Sequence, residues 1–217
     1  DVSDGWTQAI RGTVSVTASS YDANGVGTYT FSTGSSNDDT FPIWHQQAYA
    51  RDSAGEKTLL TTSDTFLVRA RISQVAEPDF PLQHALCLTD NPTGTFSRYR
   101  PMGAGVNRAP SDADQFMFVK AALGKTFFGT ESVNKTIDYT IFHVGGASPR
   151  RTRVIGHITD ASGDYLDQET RADASTVETA SQAIYLAFHF KPFSADTPIA
   201  GEQTSLLVQF RCIKFGA

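Results

Sequence analysis

Arginine supplies most of the chemistry this sequence offers. Arg69 and Arg71 alternate within the run Thr65 to Ser73 (TFLVRARIS), so an extended backbone sends both to one face together with Leu67, and Phe66, Val68, Ala70 and Ile72 to the other. Arg98, Arg100 and Arg108 flank Tyr99 in a Pro- and Gly-rich stretch, and Arg150, Arg151 and Arg153 open a later apolar run. A guanidinium fork matches a carboxylate, sulfate or phosphate in two parallel hydrogen bonds. These positions therefore suit acidic sugars, a nucleic-acid backbone or an acidic patch on a neighbouring subunit. The plainer alternative is a set of solvated arginines balanced by local acids such as Asp112 and Asp114.

Aromatic side chains are the second resource, because the C–H face of a sugar ring stacks on an aromatic plane. Trp44 followed by His45, Gln46 and Gln47 is the preferred ligand-facing segment, with core packing of the tryptophan as its alternative. Metal chemistry has weaker support. The histidines His45, His84, His143, His157 and His189 are scattered, although His143, His157 and His189 lie on strands that could be neighbours. Asp160, Asp164 and Asp167 cluster around Ser162-Gly163 and offer oxygen ligands to calcium, but without the terminal glutamate of a helix–loop–helix calcium site, and the same residues make a simple hairpin turn. No Gly-x-Ser-x-Gly elbow, glycine-rich phosphate loop or Cys-His nucleophile pair is present.

The elements that must position these groups are strands. Short apolar alternations recur between Gly, Asn, Asp, Ser and Pro clusters. Thr13 to Ala18 and Gly27 to Phe31 flank Asn24-Gly25 as a hairpin. Further strands are expected at Phe41 to Ala50, Thr65 to Ser73, Gln83 to Thr89, Gln115 to Ala121, Lys125 to Gly129, Thr136 to Val144, Arg151 to Thr159, Gln182 to Phe190 and Ser205 to Phe215. Residues 90–114 read as the longest irregular stretch, and Asp173 to Gln182 as one short helical turn. About a dozen strands without a convincing helix imply an all-β chain, a two-sheet antiparallel sandwich or jelly roll, over residues 1–217 as one domain.

Composition narrows the functional classes. The 217 residues carry 18 Lys and Arg against 23 Asp and Glu, and this net charge of -5 argues against a dedicated nucleic-acid binder. Only 19% of residues are charged, whereas 44 are Ser or Thr, so hydroxyls do much of the work of solvation. No apolar run approaches the roughly 18 residues of a membrane span. Cys87 and Cys212, the only cysteines, sit in apolar runs and read either as buried thiols or as one long-range disulfide. The chain begins at Asp1 and reads as a processed or excerpted sequence.

The order of the second half, RTRVIGHIT, the Ser162-Gly163-Asp164 turn, QAIYLAFHF and a closing amphipathic strand, together with TFLVRARIS, resembles the concanavalin A-like lectin and glucanase jelly roll, including laminin-G-like modules. That resemblance implies a curved sandwich whose concave face often binds carbohydrate. The glucanase branch would require Glu-x-Asp-x-x-Glu on one strand face, and Glu77-Pro78-Asp79 does not supply it. The alginate-lyase-like branch would require an Arg-rich strand, a Gln-x-His strand and a C-terminal strand bearing two tyrosines. Here Arg69 and Arg71 stand beside Gln83-His84 without the spacer and Ile213-Lys214-Phe215-Gly216 without either tyrosine.

The leading expectation is a non-catalytic recognition or adhesion module for carbohydrate, in a secreted or virion-surface assembly such as a phage appendage. Its ligand-binding residues would be Trp44, His45, Arg69, Arg71, Arg98, Tyr99, Arg100 and Arg108. The alternatives are a structural virion subunit that packs on neighbouring protein chains or on copies of itself, and a divergent polysaccharide lyase or hydrolase using Arg69 and His84.

Overall fold

A computed structural model of the chain describes residues 6–9, 16–24, 26–31, 43–74, 82–92, 102–107, 115–119, 125–128, 136–145, 151–159, 165–174, 182–192 and 203–216. Among these there are strands and no helix. In chain order they are β1 (Thr7–Ala9), β2 (Val16–Tyr21), β3 (Gly27–Phe31), β4 (Ile43–Gln47), β5 (Tyr49–Arg51), β6 (Lys57–Leu59), β7 (Thr65–Gln74) and β8 (Leu82–Thr89). They continue with β9 (Met102–Asn107), β10 (Gln115–Val119), β11 (Lys125–Phe128), β12 (Thr136–Val144), β13 (Arg151–Thr159), β14 (Tyr165–Ala174), β15 (Tyr185–Pro192) and β16 (Gln203–Phe215).

Two seven-stranded antiparallel sheets result. Sheet I runs β1-β4-β15-β8-β9-β10-β11 and sheet II runs β14-β13-β12-β7-β16-β3-β2, with β5-β6 as a separate hairpin. The sheets face each other across one core. Sheet I contributes Trp44, Leu86, Leu88, Leu186 and Phe188, and sheet II contributes Phe66, Val68, Ile72, Ile137, Tyr139, Ile141, Val154 and Cys212. Each of these falls at every second position of its strand, as a pleated backbone requires. A polar pin crosses the core where the Tyr139 hydroxyl donates to the Leu86 carbonyl at 2.8 Å. At one end, His143 is fully buried against Phe66; its Nε2 donates to the Thr62 carbonyl at 3.0 Å and its Nδ1 pairs with the Thr152 hydroxyl.

The expected strands at 65–73, 83–89, 136–144 and 151–159 form within a residue of their bounds. Three local expectations are corrected. The run 41–50 is cut at Ala48, which is fully buried and exchanges hydrogen bonds with Ile184 and Leu60 instead of continuing one ladder. The irregular stretch contains β9, whose Gly103 and Gly105 lie against β8 so closely that a Cβ at Gly103 would stand 2.7 Å from the Cα of Cys87. The first residues expected to turn helically, Asp173 and Ala174, end strand β14.

The two sheets differ in exposure. Along β12 the burial alternates strictly, inward residues buried and outward ones half-buried or, at Phe142, exposed, while β8 is buried at every described side chain from His84 to Thr89. Sheet I is therefore covered on both faces along β8, and sheet II presents a solvated outer face.

Candidate functional site

The outer face of sheet II is built by register. Ladder pairing sets Asp138 beside Arg71 and Arg71 beside Gln209; one row on, Ile155, Thr140, Arg69 and Arg211 are neighbours; the next row is Arg153, Phe142, Leu67 and Ile213. Same-face rows are about 7 Å apart and adjacent strands about 4.8 Å, so the backbone positions of Arg69, Arg71, Arg153 and Arg211 fall within about 17 Å of one another. All four are exposed. Phe142 and Phe215 form an edge-to-face pair at 5.9 Å and, with Ile155, leave an apolar shelf beside them.

Asp138 is the single acid among the described side chains of these rows. It holds Arg71 in a two-pronged pair, Nε to Oδ1 at 2.7 Å and Nη2 to Oδ2 at 2.9 Å, and this hydrogen bonding raises the Arg71 pKa above the ordinary arginine value. Among the described residues Arg69, Arg153 and Arg211 pair with no carboxylate and flank that pair, so the described side chains of the face carry a surplus of positive charge on a chain of net charge -5. Guanidinium forks and hydroxyls beside an aromatic shelf can hold anionic groups edge-on and pack the apolar side of whatever bears them.

Of the residues expected to bind ligand, Arg69 and Arg71 take part in this face. Trp44 does not, and is a correction: it is 8% exposed, packed in the core against Tyr29 at a ring separation of 5.6 Å, because an even-numbered position on β4 points between the sheets. His45 points the other way but is also buried, against Tyr185. Arg98, Tyr99, Arg100 and Arg108 lie outside the described residues, as do Asp160 and Asp164; Asp167 lies on β14 opposite Ile158. Among the described residues no group of three His, Cys, Asp or Glu is placed to hold a metal. His143 and His157 occupy rows of opposite parity, and His189 belongs to the other sheet.

Sequence reasoning passed over Arg211 as an anchor and gave Arg153 only a place in a strand-start cluster. Their parity was visible, but their adjacency to Arg69 depends on which strands pair. The lyase alternative fares differently. His84 lies in sheet I, fully buried on the core-facing side with Leu86, and burial pushes its pKa down to about 3. It cannot meet Arg69 on the outer face of sheet II. Cys87 and Cys212 are free thiols on different sheets; burial pushes Cys212 up to about 12 and Cys87 higher still.

No family model matches this chain, and no curated protein matches it in sequence. Solved structures do. An alginate lyase from Klebsiella pneumoniae superposes with a TM-score of 0.54 at 7% identity, covering 90% of this chain and 84% of that one. A protein of unknown function from Shewanella oneidensis MR-1 gives 0.53 at 14% identity, over 97% of this chain and 79% of that one. A family 7 alginate lyase, A1-II', in complex with substrate gives 0.50 at 14% identity, over 89% and 79%. At such identities the likeness shows the fold, and the fold is the antiparallel, concanavalin A-like jelly roll.

Proposed function

We propose that this protein is a carbohydrate-recognition module whose ligand lies across the outer face of sheet II. The observation that carries the reading is the convergence of Arg69, Arg71, Arg153 and Arg211 beside the Phe142–Phe215 shelf on one solvated sheet face. Three guanidiniums beside the Arg71–Asp138 pair on one sheet face favour a linear polysaccharide bearing carboxylates or sulfates over a neutral one. The jelly-roll likeness to alginate lyases supports a saccharide as the polymer in question. Binding without cleavage is the form proposed, since the histidine of the lyase pattern is sealed in the core and the closing strand carries Phe215 and no tyrosine. A secreted or virion-surface assembly remains the proposed setting.

The test is a glycan array followed by titration calorimetry with a polyuronate, a sulfated polysaccharide and a neutral glucan. Micromolar binding of an acidic polymer, weakened at least tenfold in Arg69→Gln with Arg211→Gln, is expected. An array without signal above background would reject carbohydrate recognition, and concentration-dependent self-association of the same sample would turn the face into a subunit contact.

A further inference from the structure

The outer face of sheet II changes character from row to row. The row through Asp138, Arg71 and Gln209 is polar; the next sets Arg69 beside Arg211; the one after it places Phe142, Leu67 and Ile213 together, and Phe215 follows beside Thr65. Among the described residues four large apolar side chains stand exposed, Leu59, Phe142, Ile155 and Phe215, and three of the four lie on this one face. That grouping separates a patch from the scattered apolar exposure of an ordinary protein surface. The patch is continuous over β12, β7 and β16, because Phe142 and Phe215 meet edge-to-face at 5.9 Å beside the half-buried Leu67 and Ile213. A sugar acid substituted only by hydroxyls would use the arginine row and leave much of this apolar edge wet.

We infer that the acidic polysaccharide taken by this face is acetylated, its acetyl groups, ester- or amide-linked, lying on the Phe142–Phe215 shelf while its acid groups meet Arg69 and Arg211. The inference rests on the recognition proposed above and narrows its ligand. Three features select the acetyl group. The apolar rows begin one pleat row, about 7 Å, from the arginine row, so the acid and the apolar substituent belong to the same sugar unit or to neighbours. The shelf is a sheet surface on which Phe142 is 37% and Phe215 44% exposed; a short group lies flat on such a ring, whereas a long acyl chain would leave most of its length in water. On the opposite side of the arginine row, Asp138 repels a second acid and keeps acceptor capacity beyond the Arg71 fork for sugar hydroxyls, with Gln209 two strands along. The three rows therefore orient a polymer with hydroxyls on one edge, acid groups in the middle and acetyl groups on the other edge.

Calorimetry compares an O-acetylated polyuronate, the same preparation after alkaline removal of its esters, an alternating polymer of uronate and N-acetylhexosamine, and a neutral N-acetylhexosamine oligomer. A half-buried methyl is worth about twofold in Kd, so two units on the shelf should make an acetylated acidic polymer bind at least about threefold more tightly than the bare polyuronate. The ratio is the readout: Arg69→Gln should weaken both forms and preserve it, Phe142→Ser with Phe215→Ser should weaken both and bring it to unity, and Phe142→Leu should keep it. Melting temperatures within about 2 °C of wild type establish that the variants are folded, and the wild-type ratio decides the matter without them. If neither acetylated polymer binds more tightly than the bare one, or if the ratio survives the double serine variant, acetyl recognition is overturned; bare-polymer binding that still falls in Arg69→Gln would then leave the recognition proposed above standing. Equal binding of the neutral oligomer would instead keep the shelf and sink the acidic reading. Self-association that disappears in the double serine variant, with no polymer bound, would overturn both and make the patch a contact between copies.

Discussion

Removing an acid should strengthen the binding of acidic polysaccharide proposed for the outer face of sheet II. Asp138 is one pleat row from Arg69 and Arg211, and its carboxylate consumes the fork of Arg71 through both oxygens. Asp138→Asn keeps the shape and deletes the charge. An anionic group seated on the Arg69 row would stand about 7 Å from that carboxylate, and their repulsion in water is about 0.6 kcal/mol, or about threefold in Kd. Release of Arg71 adds to the gain. The cost to folding is small because the pair is solvated, with Arg71 half exposed; such surface pairs contribute about 0–1 kcal/mol. The assay is titration with a polyuronate in about 10 mM salt, where the screening length of about 30 Å leaves the effect intact, and again in about 1 M salt, where about 3 Å abolishes it. Tighter binding of the acidic polymer at low salt only, with a neutral glucan unaffected, is expected. Weaker binding of the acidic polymer by Asp138→Asn, or a gain that survives high salt, would refute the electrostatic account of the face.

Three further outcomes concern the scaffold. Tyr139→Phe strands the Leu86 carbonyl in the core; a cost of about 1–3 kcal/mol lowers the melting temperature by roughly 2–12 °C in calorimetry, and a shift under 1 °C would show that the pin does not contribute. Gly105→Ala places a methyl 2.5 Å from the Ala85 Cα, where backbone must yield; a loss of about 1–3 kcal/mol in urea unfolding follows, and a neutral result would mean the strands can part freely. His84 is held neutral down to about pH 3 by burial, against an ordinary value of 6.5, so the unfolded chain takes up a proton that the folded chain refuses as pH drops below 6.5. Stability should then fall by about 1.4 kcal/mol per pH unit, or about 2 kcal/mol between pH 6.5 and 5.0. His84→Leu should remove that slope, and parallel stability-versus-pH curves for wild type and variant would contradict it.

The strands that could be read directly were those with one wet face. In β12 and β7 apolar side chains alternate with polar ones, and the period alone gives the bounds and the inward residues. Strand β9 was illegible because its sequence, MGAGVN, answers to its neighbour: glycines are required where β8 passes close, yet glycine signals a loop. The break at Ala48 was hidden for a related reason, since it depends on Ile184 and Leu60, each distant in sequence or across a turn. Arg69 and Arg71 were legible as a pair because they share a strand. Their company with Arg211, 142 positions after Arg69, and with Arg153 is a property of sheet order, which no local pattern encodes. Trp44 misled because the polar residues after it suggested a surface, while its parity on β4 sends it inward.

Strand β16 has a consequence for the timing of folding. It is the fifth of seven strands in sheet II, pairing with β7 along Leu206 to Phe215 and with β3 along Gln203 to Leu206, so it joins two parts of the sheet that are otherwise separate. During synthesis β7 precedes it by more than a hundred residues. Until residues 203–215 emerge from the ribosome, β7 waits with one edge of its ladder unfilled and β2–β3 has no partner in the sheet, the kind of open edge that invites other chains. A chain truncated before residues 203–215 is therefore expected to aggregate instead of forming a smaller soluble domain, which expression of the truncated chain and its partition between pellet and supernatant would check.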